Sequence, residues 1–87
     1  MSMSETIEAR RKRMSIRAWR RGTREMDLIL GGYADAHLAA MDGPALDAFD
    51  ALLAEDDHDL YQWVTGQSVP PARLAVLVGE LAARTAV

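Results

Sequence analysis

The sequence predicts an all-α protein, a compact antiparallel five-helix bundle, on three observations. Apolar residues recur at spacings of three and four along most of the chain. No stretch alternates apolar and polar residues cleanly, and β-branched residues are few. Turn-forming residues at Gly22, Asp42-Gly43-Pro44, Asp56-Asp57, Gly66 and Pro70-Pro71 cut the chain into five pieces of helix length. The 87 residues are the size of one domain, spanning 1–87, with residues 1–9 expected to fray. Short connections make consecutive helices antiparallel neighbours.

The first helix is expected from Ser4 to Arg20, with Ser4 as N-cap and Glu5 and Glu8 favoured by the positive helix start. Its apolar residues are sparse: Ile7, Met14 and Ala18, with Ile16 and Trp19 to one side. It is therefore expected on the surface of the bundle. The second helix is expected from Thr23 to Met41, with Met26, Ile29, Leu30, Tyr33, His37, Ala40 and Met41 on one face. Gly31-Gly32 interrupts it at a cost of about 1 kcal/mol per glycine relative to alanine. Close packing against a neighbouring helix would explain the pair, and so would a kink.

Asp42 caps the third helix, Pro44 sits in its first turn, and Leu46, Phe49, Leu52 and Leu53 form its face. The fourth is short, capped by Asp57, lined by Leu60, Trp63 and Val64, and stopped at Gly66. The fifth follows Pro70-Pro71 and carries Leu74, Leu77, Val78 and Leu81.

Composition narrows the functional classes. There is no cysteine, which excludes disulfides, thiolate metal sites and cysteine nucleophiles. No apolar run approaches the roughly 18 residues of a membrane span. Phosphate-loop, G-x-S-x-G and H-E-x-x-H signatures are absent. The only histidines are His37 and His58; Asp56-Asp57-His58-Asp59 lacks calcium-loop spacing and reads as a helix cap with first-turn acids, and His37 as a half-buried face residue. No convergent acid, base and nucleophile set emerges, so no enzymatic activity is expected.

The net charge of −3 conceals an asymmetry. Residues 1–25 carry eight Lys/Arg against three acids (+5), and the remainder two against ten (−8). A basic arm on an acidic body suggests a partner that meets the arm. Arg10, Arg13, Arg17, Arg20 or Arg21, and Arg24 recur at helical spacing and could track nucleic-acid phosphates, with Trp19 near enough to stack a base. The acidic body and the lack of a recognition signature weigh against that reading, which stays as the alternative alongside a small regulatory, toxin-like partner role. Glu5 and Glu8 within the Arg-rich start, and a motif beginning at Arg21, argue against a removable leader. A cytoplasmic protein is expected.

That motif is Arg20-Arg21-Gly22-Thr23-Arg24-Glu25-Met26-Asp27, at the junction of the first two helices. In purely structural terms it makes a corner. Gly22 permits a left-handed backbone, Glu25 reaches back to the Gly22 amide as in a capping box, and Arg21 pairs with Glu25 four residues on. A functional reading adds bare backbone at Gly22 for close approach by a partner, and a bidentate fork on Arg21.

Arg21-Gly22-x-x-Glu25, followed by Met26-Asp27-Leu28-Ile29-Leu30, resembles the signature of the succinate dehydrogenase flavinylation factors, the family of succinate dehydrogenase assembly factor 2. A second block, Glu55-Asp56-Asp57-His58-Asp59-Leu60-Tyr61-Gln62-Trp63-Val64, resembles that family's acidic D-x-D-L-[YF]-x-W segment. The resemblance covers roughly residues 10–66. His58 departs from it where the family often has proline.

The resemblance implies a five-helix protein without catalysis of its own; a monomer in the free state, with no stably bound cofactor and no membrane insertion, is expected. It would bind the flavoprotein subunit of succinate dehydrogenase, or of fumarate reductase, and promote covalent attachment of FAD to a histidine of that subunit. It places Arg21, Gly22 and Glu25 on the partner-binding surface, with Arg20 and Arg24 as neighbours. Trp63 shares a face with Leu60 and Val64 and is expected in the core; Tyr61 fits either role.

Overall fold

The structure, a computed structural model, describes residues 5–85. Five α-helices follow one another: α1 (Ile7–Trp19), α2 (Arg24–His37), α3 (Gly43–Leu53), α4 (Asp57–Val64) and α5 (Ala75–Thr85). Short 3-10 turns at Leu38–Ala40 and Ala72–Leu74 extend the end of α2 and lead into α5. The all-α expectation holds, and there is no strand among the described residues.

Local chemistry accounts for most helix starts. Thr6, not Ser4, caps α1: its side chain accepts from the Ala9 amide at 3.0 Å. Ser4 lies outside the described residues, as do residues 1–3 of the stretch expected to fray, while Ile7–Ala9 form the first turn. Asp42 caps α3 through the Ala45 amide with Pro44 in the first turn, as predicted, whereas α2 is capped by Thr23 through the Met26 amide and not by a capping box on Gly22. Asp56, rather than Asp57, caps α4, accepting from the His58 amide at 2.7 Å. Gly66 follows α4 at φ +80, the left-handed backbone that ends a helix at little cost to glycine.

One apolar core runs through all five helices. Leu46, Phe49 and Leu52 on α3 have no exposed surface and share one buried cluster with Met14 and Ala18 of α1, Leu30 and Tyr33 of α2, Leu60 of α4 and Leu81 of α5. Fully burying side chains of this size stabilises the fold by about 1.5–3 kcal/mol each. Tyr33 stacks at a tilt on Phe49, with ring centroids 5.5 Å apart. The inward face of α2 differs from the predicted one at its end. The chain tightens to 3-10 geometry at Leu38, so Leu38 turns into the core while His37 and Ala40 face solvent.

The sparse apolar face of α1 is offset by two devices. First, Trp19 lies flat against Gly31 of α2, and its indole N–H donates to Asp35 at 3.2 Å. A Cβ on Gly31 would fall under 3.0 Å from three ring carbons of Trp19, so the mid-helix glycine is there for close packing rather than for a kink. Second, the arginine stripe turns inward onto α3. Asp50 accepts from Arg17 at 2.9 Å and from Arg10 at 3.3 Å, and stands 3.5 Å from Arg13. Arg10 also bonds Asp47 at 2.8 Å, and Arg11 donates to the Met41 carbonyl at 2.7 Å. Both Arg10 and Arg13 are held above their ordinary pKa, Arg10 chiefly by its bond to Asp47 and Arg13 by its bond to Glu5.

These contacts also fix directions. The start of α1 lies by the end of α2 (Arg11 to Met41) and its end by the middle of α2 (Trp19 to Gly31), so the two are antiparallel. Arg10 reaches Asp47 and Arg17 reaches Leu53, so α1 and α3 run the same way. The charge asymmetry of the sequence is thus met largely within the molecule.

Candidate functional site

Both sequence blocks come together at one corner of the bundle. Residues 20–23 turn the chain from α1 into α2, and residues 54–56 turn it from α3 into α4. The side chain of Arg21, only 10% exposed, joins the two turns. Its Nε donates to Asp57 Oδ1 at 2.6 Å, Nη1 to the Leu53 carbonyl at 2.7 Å, and Nη2 to the Glu55 carbonyl at 2.8 Å. The Arg21 amide donates to Asp27 at 2.6 Å, and the Gly22 amide donates to Asp57 Oδ2. Arg21 thereby satisfies carbonyls left free at the end of α3, which a helix cannot satisfy from within.

The five predicted site residues divide into two groups. The Arg21 side chain faces inward, its guanidinium fork closed on the protein's own carbonyls and carboxylate, while Gly22 is exposed with its amide held by Asp57. Arg20, Arg24 and Glu25 are exposed around them. Neither contact predicted for Glu25 forms, because Asp57 takes both the Gly22 amide and the Arg21 side chain. Gly22 is not in the left-handed region; Gly66 alone among the described glycines is. Its reason is proximity: a Cβ at Gly22 would stand 3.0 Å from Asp57 Oδ2, tighter than nearly all ordinary contacts.

Beside this corner lies an open groove of about 310 Å³, lined by Thr23, Glu25 and Met26 from the first block and by Asp57, His58 and Tyr61 from the second. Tyr61 is 41% exposed, whereas Trp63 packs against the core, as expected. His58 occupies the second position of α4, and its amide bonds the Asp56 cap at 2.7 Å, a bond proline could not make.

Sequence reasoning missed Asp57 as the organising residue of the corner. One signal was present: of two adjacent acids, only one can cap, which leaves the other free to find a cation. A second depression, of about 480 Å³, lies between α2, α3 and α5, where the Tyr33 hydroxyl donates to Glu80. No group of metal-ligating side chains occurs among the described residues, and no helix there is long and apolar enough to cross a membrane.

A family model described as flavinator of succinate dehydrogenase matches residues 12–85. Succinate dehydrogenase assembly factor 2, mitochondrial, of Candida glabrata is 44% identical over 63 residues, covering 72% of this chain and 41% of that protein. The protein of the same name in Meyerozyma guilliermondii is 39% identical, over 70% of this chain and 45% of its own length. That of Mycosarcoma maydis is also 39% identical, over 83% of this chain and 30% of its own length. The chain spans less than half the length of these relatives.

Their names correct one expectation. They are mitochondrial proteins, which points to the mitochondrion rather than the cytoplasm. The cytoplasmic reading leaned on the position of the motif in the chain, and position carries no weight where relatives extend far beyond the matched segment. With a family model covering the chain from Lys12 to Thr85 and relatives at this level of identity, the chain belongs to the family of succinate dehydrogenase flavinators, the assembly factor 2 proteins.

Proposed function

We propose that this protein binds the flavoprotein subunit of succinate dehydrogenase and promotes covalent attachment of FAD to it, without making the bond itself. One observation carries the reading. The two blocks that mark the family, far apart in sequence, form a single corner through Arg21 and Asp57, and its outward side is an open groove with the carboxylate of Glu25 at its edge. Such a surface suits a binding role, because it offers shape and charge to a partner. The bond-forming chemistry then belongs to the flavin and the client, and the factor contributes by favouring a reactive arrangement of the two. A fumarate reductase flavoprotein is a second client of the same kind. The factor is a monomer when free and purifies without flavin.

Within the corner, Glu25, Arg20 and Arg24 are the contact residues, and Arg21 and Gly22 support them. The test is in-gel flavin fluorescence of the denatured flavoprotein from cells lacking this protein, since denaturation strips flavin that is not covalently bound. The band weakens on deletion, returns with the wild-type protein, and stays weak with Glu25→Gln, whose exposed side chain can change without disturbing the fold. An undiminished band in the deletion strain, with the client expressed normally, refutes the role.

A further inference from the structure

We infer that Asp57 is a positioning residue that pre-organises the corner, so that a partner meets the Arg-Gly-x-x-Glu surface already set in its binding shape. What meets the surface rests on the proposed function; how the surface is held rests on geometry alone.

Between the end of α1 and the start of α2 the backbone has little regular hydrogen bonding of its own, the Arg20 amide reaching only the Arg17 carbonyl at 3.3 Å. Left to themselves, residues 20–23 would sample many conformations, and a partner binding them would bear the cost of ordering them. Asp57 removes that freedom. Its two carboxylate oxygens hold different parts of the corner, Oδ1 the Arg21 guanidinium at 2.6 Å and Oδ2 the amide of Gly22. Arg21 is anchored in turn to the carbonyls of Leu53 and Glu55, and its amide to Asp27. The corner is therefore tied to α2, to α3 and to α4 at once.

Glycine at position 22 suits this arrangement, because a Cβ there would press on the Asp57 carboxylate at 3.0 Å. The motif has two halves with different roles. The Arg21 side chain and the Gly22 amide are the half held by the protein itself, through Asp57 of the other block, and exposed Glu25 is the free half. Asp56, next in sequence, caps α4 and is thereby excluded from this role.

The test uses the whole chain with purified flavoprotein subunit. Asp57→Ala and Asp57→Asn are compared with Asp42→Ala, which removes a cap at the start of α3, outside the groove. Two quantities are read for each: amide hydrogen exchange at Arg21, Gly22 and the first turn of α2, and affinity for the subunit. Asp57→Ala should speed exchange at the corner about tenfold, leave core amides of α3 protected, and weaken binding about tenfold. Asp57→Asn, which keeps an acceptor for one of the two donors, should fall between. Asp42→Ala should lower the melting temperature while leaving corner exchange and affinity intact.

Wild-type exchange at the corner of Asp57→Ala, or fast exchange with undiminished affinity, overturns the inference. An equal loss of binding in Asp42→Ala overturns it too, by showing that general stability is what matters. Should Asp57→Ala unfold, Asp57→Asn decides by the same readings. A wild-type protein that binds no flavoprotein subunit refutes the proposed function instead, and the exchange comparison still decides whether Asp57 holds the corner.

Discussion

Gly31→Ala sets two effects of opposite sign against each other. An alanine in the middle of a helix is favoured over glycine by about 1 kcal/mol, and α2 runs unbroken through this position. On propensity alone the substitution stabilises the protein. The structure predicts the reverse, because the new methyl group would fall under 3.0 Å from Cδ2, Cε2 and Cε3 of Trp19. Overpacking of this kind costs about 1–3 kcal/mol. The indole stands at the end of α1 and is 38% exposed, so it relieves the clash by tilting outward. It then loses its bond to Asp35 at 3.2 Å, worth about 0.5–1.5 kcal/mol.

The net is a loss of about 1–2 kcal/mol, or a fall in Tm of about 5–10 °C for a domain of this size. The assay is thermal and urea denaturation followed by far-UV circular dichroism, in the wild-type background and in Trp19→Ala. In Trp19→Ala the obstacle is gone, so Gly31→Ala should stabilise by about 1 kcal/mol. The sign reversal amounts to a coupling of about 2–3 kcal/mol between the two positions. A stabilised Gly31→Ala in the wild-type background, or the same effect in both backgrounds, refutes the argument.

Two further perturbations probe contacts away from the corner. The Tyr33 phenol is held above its ordinary pKa, first by burial and then by its bond to Glu80. Protonated Tyr33 is therefore favoured in the folded state. Its contribution is complete below the ordinary tyrosine pKa of about 10 and is lost as pH rises above it. Tyr33→Phe should flatten the alkaline decline in stability, as read from urea midpoints across that range; an unchanged slope counts against the assignment. Asp50 gathers Arg10, Arg13 and Arg17 onto α3, so Asp50→Ala should lower the melting temperature, and by less in molar salt than in dilute buffer, since these side chains are partly solvated. A salt-independent loss would point to packing of α1 instead of charge pairing.

Much of the fold was legible because its causes are local. Asp42 with Pro44 starts α3, Gly66 ends α4, and the spacing of Leu46, Phe49, Leu52 and Leu53 marks a buried face without reference to any other part of the chain. Errors fell at helix ends. Asp56 and Asp57 are adjacent acids that could each cap α4, and at the end of α2 the helical spacing that picked His37 fails where the chain tightens at Leu38. Local rules rank the two acids as equal, and the choice is made by what lies opposite in space, where Arg21 and the Gly22 amide take Asp57.

The membership of this chain in its family was readable from two short blocks, while the Gly31-Gly32 pair left close packing and a kink equally open. Which residue packs at Gly31 was not readable, because Trp19 reaches it only once α1 folds back along α2. The same holds for the arginine stripe, which as a string of charges reads as an offer to an outside partner. Asp50 answers it from another helix. It holds most of all for the motif, whose arginine looks poised to grip something external. Three acceptors wait for it more than thirty residues away, and they are within reach only because the core brings the ends of α1 and α3 side by side. Composition and periodicity determine which segments become helices and which faces they bury. The roles of Arg21, Gly22 and Asp57 depend on hydrogen bonds between turns distant in sequence, and those exist only after the helices have packed.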